Sequence, residues 1–268
     1  MTRALLFFIT VIIVASCKKQ EPVADTYYHP KISDSFEWRL DSIGINEVAQ
    51  YSCKIIDIDA FTATKELVDA FHARGIKVIA YVSVGTIENY RPDSALLPAD
   101  IIGNIYPAWP DERFINIREI EKMRPFITSR FDMIKQKGFD GIEPDNMDGY
   151  GEMNGFDLTL EDTKVFCEWI IQEAHSRGLS IGQKNTEELV PFLYRKFDWA
   201  LTEDVFNSNT QNDYSSYIAI GKPVFSAEYS DVMSISDFDT FVCAKAKQLK
   251  YFAFLKHRDL NQWTYECY

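Results

Sequence analysis

The densest chemistry in the 268-residue chain lies in Glu143-Pro144-Asp145-Asn146, with Asp148 and Gly149 close behind. The run opens like an apolar strand at Gly141-Ile142 and turns within a few residues into a carboxylate cluster. Pro144 has no backbone donor and restricts Glu143 to extended conformations. Carboxylates gathered on one strand end repel each other, which is poor for packing and useful for acid/base or nucleophilic chemistry. The bland alternative is a solvated turn. The choice depends on whether other strand ends bring partners to the same place.

Short apolar runs alternate with amphipathic ones along the chain. Strands are expected at 35–40, 53–58, 77–84, 141–145, 180–184, 199–202, 223–227 and 251–254. Helices are expected at 64–74, 120–137, 160–177, 187–195, 214–220 and 236–249. Several helices end in a basic residue followed by glycine, as in Arg74-Gly75, Lys137-Gly138 and Arg177-Gly178. Eight strands with connecting helices predict an α/β fold, a single-domain (β/α)8 TIM-like barrel. An open doubly wound sheet is the alternative, but no glycine-rich phosphate turn follows the first strand. The insert 86–118 carries Tyr90, Tyr106, Trp109 and several prolines and is placed to roof one end of a cleft.

In a barrel the active site forms at the C-terminal strand ends. Here those ends read Asp57-Ile58-Asp59, Tyr81-Val82-Ser83, Glu143-Pro144-Asp145-Asn146, Lys184-Asn185, Glu203-Asp204, Glu228-Tyr229 and Lys256-His257-Arg258-Asp259. Helix caps explain one such residue, Asp59, but not the set. The rim therefore reads as functional.

The N-terminus has its own logic. Residues 1–16 carry Arg3, an apolar stretch and the small residues Ala15 and Ser16 ahead of Cys17, too short to span a bilayer with flanks. This resembles a bacterial lipobox, with Cys17 lipidated and residues 17–33 a tether to a domain at 34–268. The expected product is an exported lipoprotein of the cell envelope, at the outer membrane or cell surface. Removing the signal leaves 252 residues and, with Arg3 gone, takes the formal charge from −12 to −13. That balance disfavours nucleic acid and suits cationic partners.

Export permits disulfides. Cys243 and Cys267 flank the last helix–strand unit and are placed to tie down the C-terminus, whereas Cys53 and Cys167 lie in apolar patterns and read as buried thiols. No cysteine pair has metal-ligand spacing, and His29, His72, His175 and His257 are scattered. Neither a metal nor a cofactor is expected. Many carboxylates, aromatic residues and no nucleotide motif point to hydrolysis of a sugar polymer by two carboxylates, with aromatic rings available for stacking on sugars.

The ordered motif series resembles glycoside hydrolase family 114. The resemblance rests on Trp38 with Leu40, Ile56-Asp57-Ile58-Asp59, Tyr81-Val82-Ser83 to Gly85, Glu88 with Arg91-Pro92-Asp93, and Glu143-Pro144-Asp145-Asn146 with Asp148-Gly149-Tyr150. It continues through Lys184-Asn185, Glu203, Glu228-Tyr229, Leu255-Lys256, Arg258-Asp259-Leu260 and Cys267. It implies endo-α-1,4-polygalactosaminidase activity with retention, with Asp145 as nucleophile and Glu203 as general acid/base. Asp57, Tyr81, Arg91, Asp93, Glu143, Asn146, Lys184, Asn185, Glu228 and Tyr229 would bind substrate or set pKa values. The sequence departs from the family pattern at Arg39, Asn116 and Thr202-Glu203-Asp204-Val205. The competing reading is a non-catalytic glycan-binding surface lipoprotein on the same scaffold. The expected partner is a polysaccharide, with membrane contact through the lipid alone and the protein a monomer.

Overall fold

The structure is a computed structural model and describes residues 27–107 and 109–267. The signal and Cys17 lie outside the described residues, as does most of the tether. Among those described, no helix is long and apolar enough to cross a membrane.

Eight parallel strands make the frame: β1 (Phe36–Arg39), β2 (Ile55–Asp59), β3 (Lys77–Ser83), β7 (Gly141–Asp145), β8 (Ser180–Lys184), β9 (Trp199–Glu203), β10 (Val224–Tyr229) and β11 (Phe252–Lys256). They follow one another round the sheet in sequence order, as a (β/α)8 barrel requires. All eight expected strands are present within a few residues of their predicted places. The gap in numbering is the insert, which forms a separate antiparallel sheet of β4 (Thr86–Glu88), β5 (Ile102–Tyr106) and β6 (Trp109–Ile115), with β6 central.

The outer helices are uneven. α1 (Lys65–Ala73), α2 (Ile120–Lys137) and α3 (Leu160–Ser176) are full crossovers. Thr64 caps α1 by accepting from Leu67 N, and Thr159 with Asp162 forms a reciprocal cap on α3. The helices expected at 187–195 and 214–220 contract to α4 (Val190–Leu193) and α5 (Ser215–Ala219). The last, α6 (Ile235–Asp237) to α7 (Ala244–Leu249), runs through a π turn at Phe238–Cys243.

The barrel is nearly closed. The free edge of β11 is taken by the short antiparallel β12 (Thr264–Glu266). Across the seam to β1, Lys256 Nζ reaches Glu37 Oε1 at 3.0 Å and Leu40 N donates to Leu260 O at 3.0 Å. A disulfide joins Cys243 to Cys267 and so holds the chain beside β12, while Cys53 and Cys167 are free.

Strand alternation sorts side chains between two cores. Phe36, Ile55, Ile79, Trp199, Phe225 and Phe254 fill the barrel interior, with Phe36 stacked on Phe225 at 4.3 Å. Gly182 is required there, because a Cβ would stand 2.7 Å from the Trp199 ring. The opposite strand faces pack against the helices through a second, larger cluster that includes Val68, Phe71, Phe126, Phe131 and Ile170.

Candidate active site

The interior changes character one inward position further along five of the strands. After the apolar floor come Trp38 on β1, Asp57 on β2, Tyr81 on β3, Glu143 on β7 and Lys184 on β8. Glu143 and Asp145 share a face, as a two-residue period demands. One ammonium gathers the acids: Lys184 Nζ lies 2.8 Å from Glu143 Oε1, 2.9 Å from Asp145 Oδ1 and 3.1 Å from Glu203 Oε2. It also sits over the Trp38 ring at 4.6 Å.

The remaining donors fix the carboxylates. The Tyr81 hydroxyl donates to Asp145 Oδ2 at 3.0 Å, and Trp38 Nε1 donates to Glu143 Oε2 at 3.0 Å. Glu203 accepts from Asn185 Nδ2 at 3.0 Å and from the Tyr229 hydroxyl, while its own backbone N–H donates to Asn185 Oδ1 at 2.9 Å.

The local backbone helps to aim these groups. Asn146, Asn185 and Asp204, each directly after a residue of the cluster, have φ of 62°, 47° and 53°. Asparagine and aspartate tolerate this left-handed conformation better than other residues with a Cβ, and it turns the chain sharply off the strand. Gly85 permits a further close approach: a Cβ there would stand 1.7 Å from Asn146 O.

Burial sets the electrostatics. It pushes the Glu143 carboxyl up to about 7, against the pull of Lys184 and with the push of Asp145. Burial also raises Asp57 well above the ordinary carboxyl range, reinforced by the adjacent Glu143. No donor among the described residues reaches either Asp57 oxygen, consistent with a carboxyl that keeps its proton. For Glu203 burial acts upward but is outweighed by Lys184, the Tyr229 hydroxyl and the Asn185 amide, so its pKa is lowered. Lys184 is raised well above its ordinary value because its carboxylates outweigh its own burial.

Above this cluster opens a cleft of about 830 Å³, lined by Trp38, Tyr81, Asp145, Asn146, Lys184, Asn185, Glu203 and Tyr229 at strand ends and by Tyr90, Arg91, Tyr106, Trp109 and Glu112 from the insert. Its acids outnumber its bases seven to three. Asp57 and Glu143 lie beneath its floor and are fully buried.

Other residues expected at the site are placed differently. Glu228, next to Tyr229 in sequence, points to the opposite face of β10 and accepts from Phe206 N at 3.0 Å and Asn207 N at 3.2 Å. It fixes the loop after β9 and does not line the cleft. Asp93 also lies off the cleft, paired with the buried Arg130 at 2.7 Å. Arg91 lines the cleft, but its guanidinium is tied to Asp59 and, at 2.8 Å, to Glu88. Sequence reading passed over Trp38 as a site residue and missed Glu112. The signal for Glu112 was its place between Trp109 and the apolar Phe114-Ile115, in what proves to be a strand. Among the described residues no group of three His, Cys, Asp or Glu side chains is arranged to hold a metal ion.

A (β/α)8 barrel whose C-terminal mouth carries paired carboxylates in an acidic cleft has the frame of a glycoside hydrolase. The sequence profile of glycoside-hydrolase family GH114 matches residues 18–268, and the chain belongs to that family. Membership decides between an enzyme and a non-catalytic binder in favour of the enzyme.

The structure is similar to that of Aspergillus fumigatus Ega3 in complex with galactosamine. The two share 30% identity over 90% of this chain and 97% of that one, with a TM-score of 0.82. The glycoside hydrolase domain of PelA from Pseudomonas aeruginosa is 16% identical over 87% of this chain and 97% of that one, with a TM-score of 0.68. A GH18 chitinase from Pseudoalteromonas aurantia is 12% identical over 84% and 94%, with a TM-score of 0.56. The last two share the fold. No curated relative matches the chain.

Proposed function

We propose that this glycoside hydrolase cleaves α-1,4-linked galactosamine-containing polysaccharide within the chain and with retention, Asp145 acting as nucleophile and Glu203 as general acid/base. The substrate reading is supported by the family, by the likeness to Ega3 bound to galactosamine, and by an acidic cleft suited to a cationic polymer. The endo mode follows from the family likeness.

The mechanism rests on one observation, the ammonium shared by the two carboxylates. Lys184 Nζ contacts Asp145 Oδ1 and Glu203 Oε2, so those oxygens are no further apart than the sum of 2.9 and 3.1 Å, which is 6.0 Å. Retaining pairs stand about 5–5.5 Å apart and inverting pairs about 6.5–9.5 Å. That spacing favours retention, because inversion needs room for a water between the base carboxylate and the anomeric carbon.

In the first step an Asp145 oxygen bonds to the anomeric carbon as the glycosidic C–O bond breaks, and protonated Glu203 gives its proton to the departing oxygen. In the second step Glu203 takes a proton from water, whose oxygen bonds to the anomeric carbon and releases Asp145. Lys184 and Tyr81 orient the Asp145 carboxylate through both steps.

The test is incubation of purified protein, Asp145→Asn and Glu203→Gln with galactosamine-rich exopolysaccharide, following polymer length. The wild type should shorten the polymer, and each variant should lose about a thousandfold or more of that activity. Variants that cleave like the wild type sink the catalytic assignment.

The envelope location belongs to the same proposal: export, lipidation at Cys17, and a monomer on a tether. Its support is the lipobox-like pattern and the way the described chain starts. Tyr27 stacks on His175 at 4.4 Å, and the Tyr28 ring lies 5.3 Å from Lys77 Nζ at the N-terminal end of β3. Tyr27 and Tyr28 thus lie at the end of the barrel opposite the cleft, which leaves the cleft free if the preceding residues are a tether. An intact mass showing an unmodified Cys17 in membrane-extracted protein would count against the anchor, and a dimer by light scattering would count against the monomer.

A further inference from the structure

Glu112 is an acid of the cleft that no step above uses. It lies on the central strand of the roof sheet, directly across the ladder from Glu88. Two carboxylates in that position destabilise a sheet unless each finds a counter-charge. Glu88 finds two: Arg91 Nε at 2.8 Å and Arg130 Nη1 at 3.1 Å. Glu112 finds none, for no lysine or arginine among the described residues forms an ion pair with it. Among the described residues its side chain has one partner, the Thr86 hydroxyl, which donates to Oε2 at 2.6 Å.

The geometry has two further features. Glu112 is only 8% exposed, yet it lines the cleft, and Oε1 accepts no hydrogen bond from the described residues. The residue is also wired to the reacting end of the cleft: Asn146, next to Asp145, donates from Nδ2 to Thr86 Oγ1 at 3.2 Å. Burial, only partly offset by the Thr86 hydroxyl and reinforced by Glu88, pushes the Glu112 carboxyl up to about 7. A cation brought into the cleft would turn that poised group into a firm carboxylate.

We propose that Glu112 determines specificity by pairing with the ammonium group of an unacetylated amino-sugar unit, a contact that an N-acetylated unit cannot make. The inference rests on the galactosamine reading above and deepens it. An N-acetyl group has no positive charge to offer, and it would leave Oε1 buried against an amide instead of an ion. Trp109 and Tyr106, lining the same cleft from the hairpin that carries Glu112, supply ring surface beside the ion pair.

The test compares wild type and Glu112→Gln on a deacetylated galactosamine oligomer and its N-acetylated counterpart. Gln keeps the shape and can still accept from Thr86. The variant should show KM raised about tenfold or more on the amine substrate with kcat nearly unchanged, and no such rise on the acetylated one. Unchanged KM on the amine substrate, with wild-type cleavage intact, sinks the Glu112 assignment alone. Failure of the wild type to cleave either oligomer sinks the substrate reading and this inference with it. A measurement on the wild type needs no variant: the Glu112 side-chain carboxyl carbon should shift on adding galactosamine and stay still with N-acetylgalactosamine. A carboxyl that answers neither sugar overturns the proposal.

Discussion

Lys184 Nζ donates to Glu143 Oε1 at 2.8 Å, and both side chains are buried in the barrel interior. Glu143 is thus the lower support of an ammonium whose other two contacts, Asp145 and Glu203, face the cleft. The indole of Trp38 closes the arrangement from the side, donating to Glu143 and lying against the lysine. Burial raises the pKa of Asp57 and of Glu143 beneath the cation, whereas Lys184, Tyr229 and Asn185 lower that of Glu203 at the mouth.

Lys184→Met should therefore fail in two measurable ways. Without the ammonium, Asp145 and Glu203 lose their common tether, and kcat/KM should fall about a hundredfold or more. Removing one member of a buried ion cluster also costs about 3–5 kcal/mol, because the charges left behind are uncompensated. The pH dependence identifies the cause. With the cation gone, the folded-state pKa values of Glu143 and Asp57, already raised by burial, rise further above their unfolded values because Lys184 no longer pulls them down. Their stabilising contribution is then full below the unfolded pKa and lost as pH rises through the folded one. Urea melts should show the deficit of the variant shrinking from about pH 8 to about pH 5. A deficit independent of pH would mean that packing, not charge, is what the lysine supplies.

Tyr229 donates to Glu203 and so helps to keep that carboxyl below its ordinary pKa despite burial. A general acid works only while protonated, so kcat/KM should decline as pH rises through the lowered pKa of the free enzyme. Tyr229→Phe removes a donor that favours the charged form, which raises the Glu203 pKa and moves that falling limb to higher pH. The measurement is kcat/KM against pH for the two proteins. A limb that does not move assigns the titration to some other group.

The sequence made the frame legible because the strands are short apolar runs, several of them preceded by helix-stop glycines, a pattern that only local spacing has to carry. It also placed Asp145 and Glu203 correctly at strand ends, since each terminates an apolar run. What it could not separate was neighbouring residues with opposite faces. Glu228 and Tyr229 are adjacent, and a one-residue difference in parity sends the tyrosine into the cleft and the glutamate under a loop. Nor could it see partners supplied from afar: Asp93 is claimed by Arg130, 37 positions later on α2. The roof sheet was hidden for a third reason. Pro107 and Pro110 interrupt the alternation of β5 and β6, so a hairpin read as an irregular insert. The left-handed turns did leave a trace, because two of the three positions are asparagine and the third aspartate.

The roof joins the larger apolar core through Ile87, Ile101 and Ile115, and a buried ion cluster adds a second link whose role is testable at a distance from the chemistry. Arg130, wholly buried on α2, bonds Asp93 at 2.7 Å, Glu88 at 3.1 Å and Ser83 O at 2.7 Å. Its guanidinium lies 4.0 Å from the Phe126 ring centre. Arg130→Met keeps much of the side-chain volume but leaves Glu88 and Asp93 without this partner, and Ser83 O without its donor. Stability should fall by about 3–5 kcal/mol. Glu88 sits across from Glu112 and carries Arg91, so the roof aromatics should lose their fixed place over the cleft. The functional consequence is a KM raised severalfold on long polymer, with a much smaller effect on a short oligomer that does not reach Trp109. Lysine at 130 should rescue only part of the loss, because a single ammonium cannot match the fork of contacts that a guanidinium makes. If Arg130→Met loses stability while KM on long polymer is unchanged, the ion network holds the fold but does not position the roof.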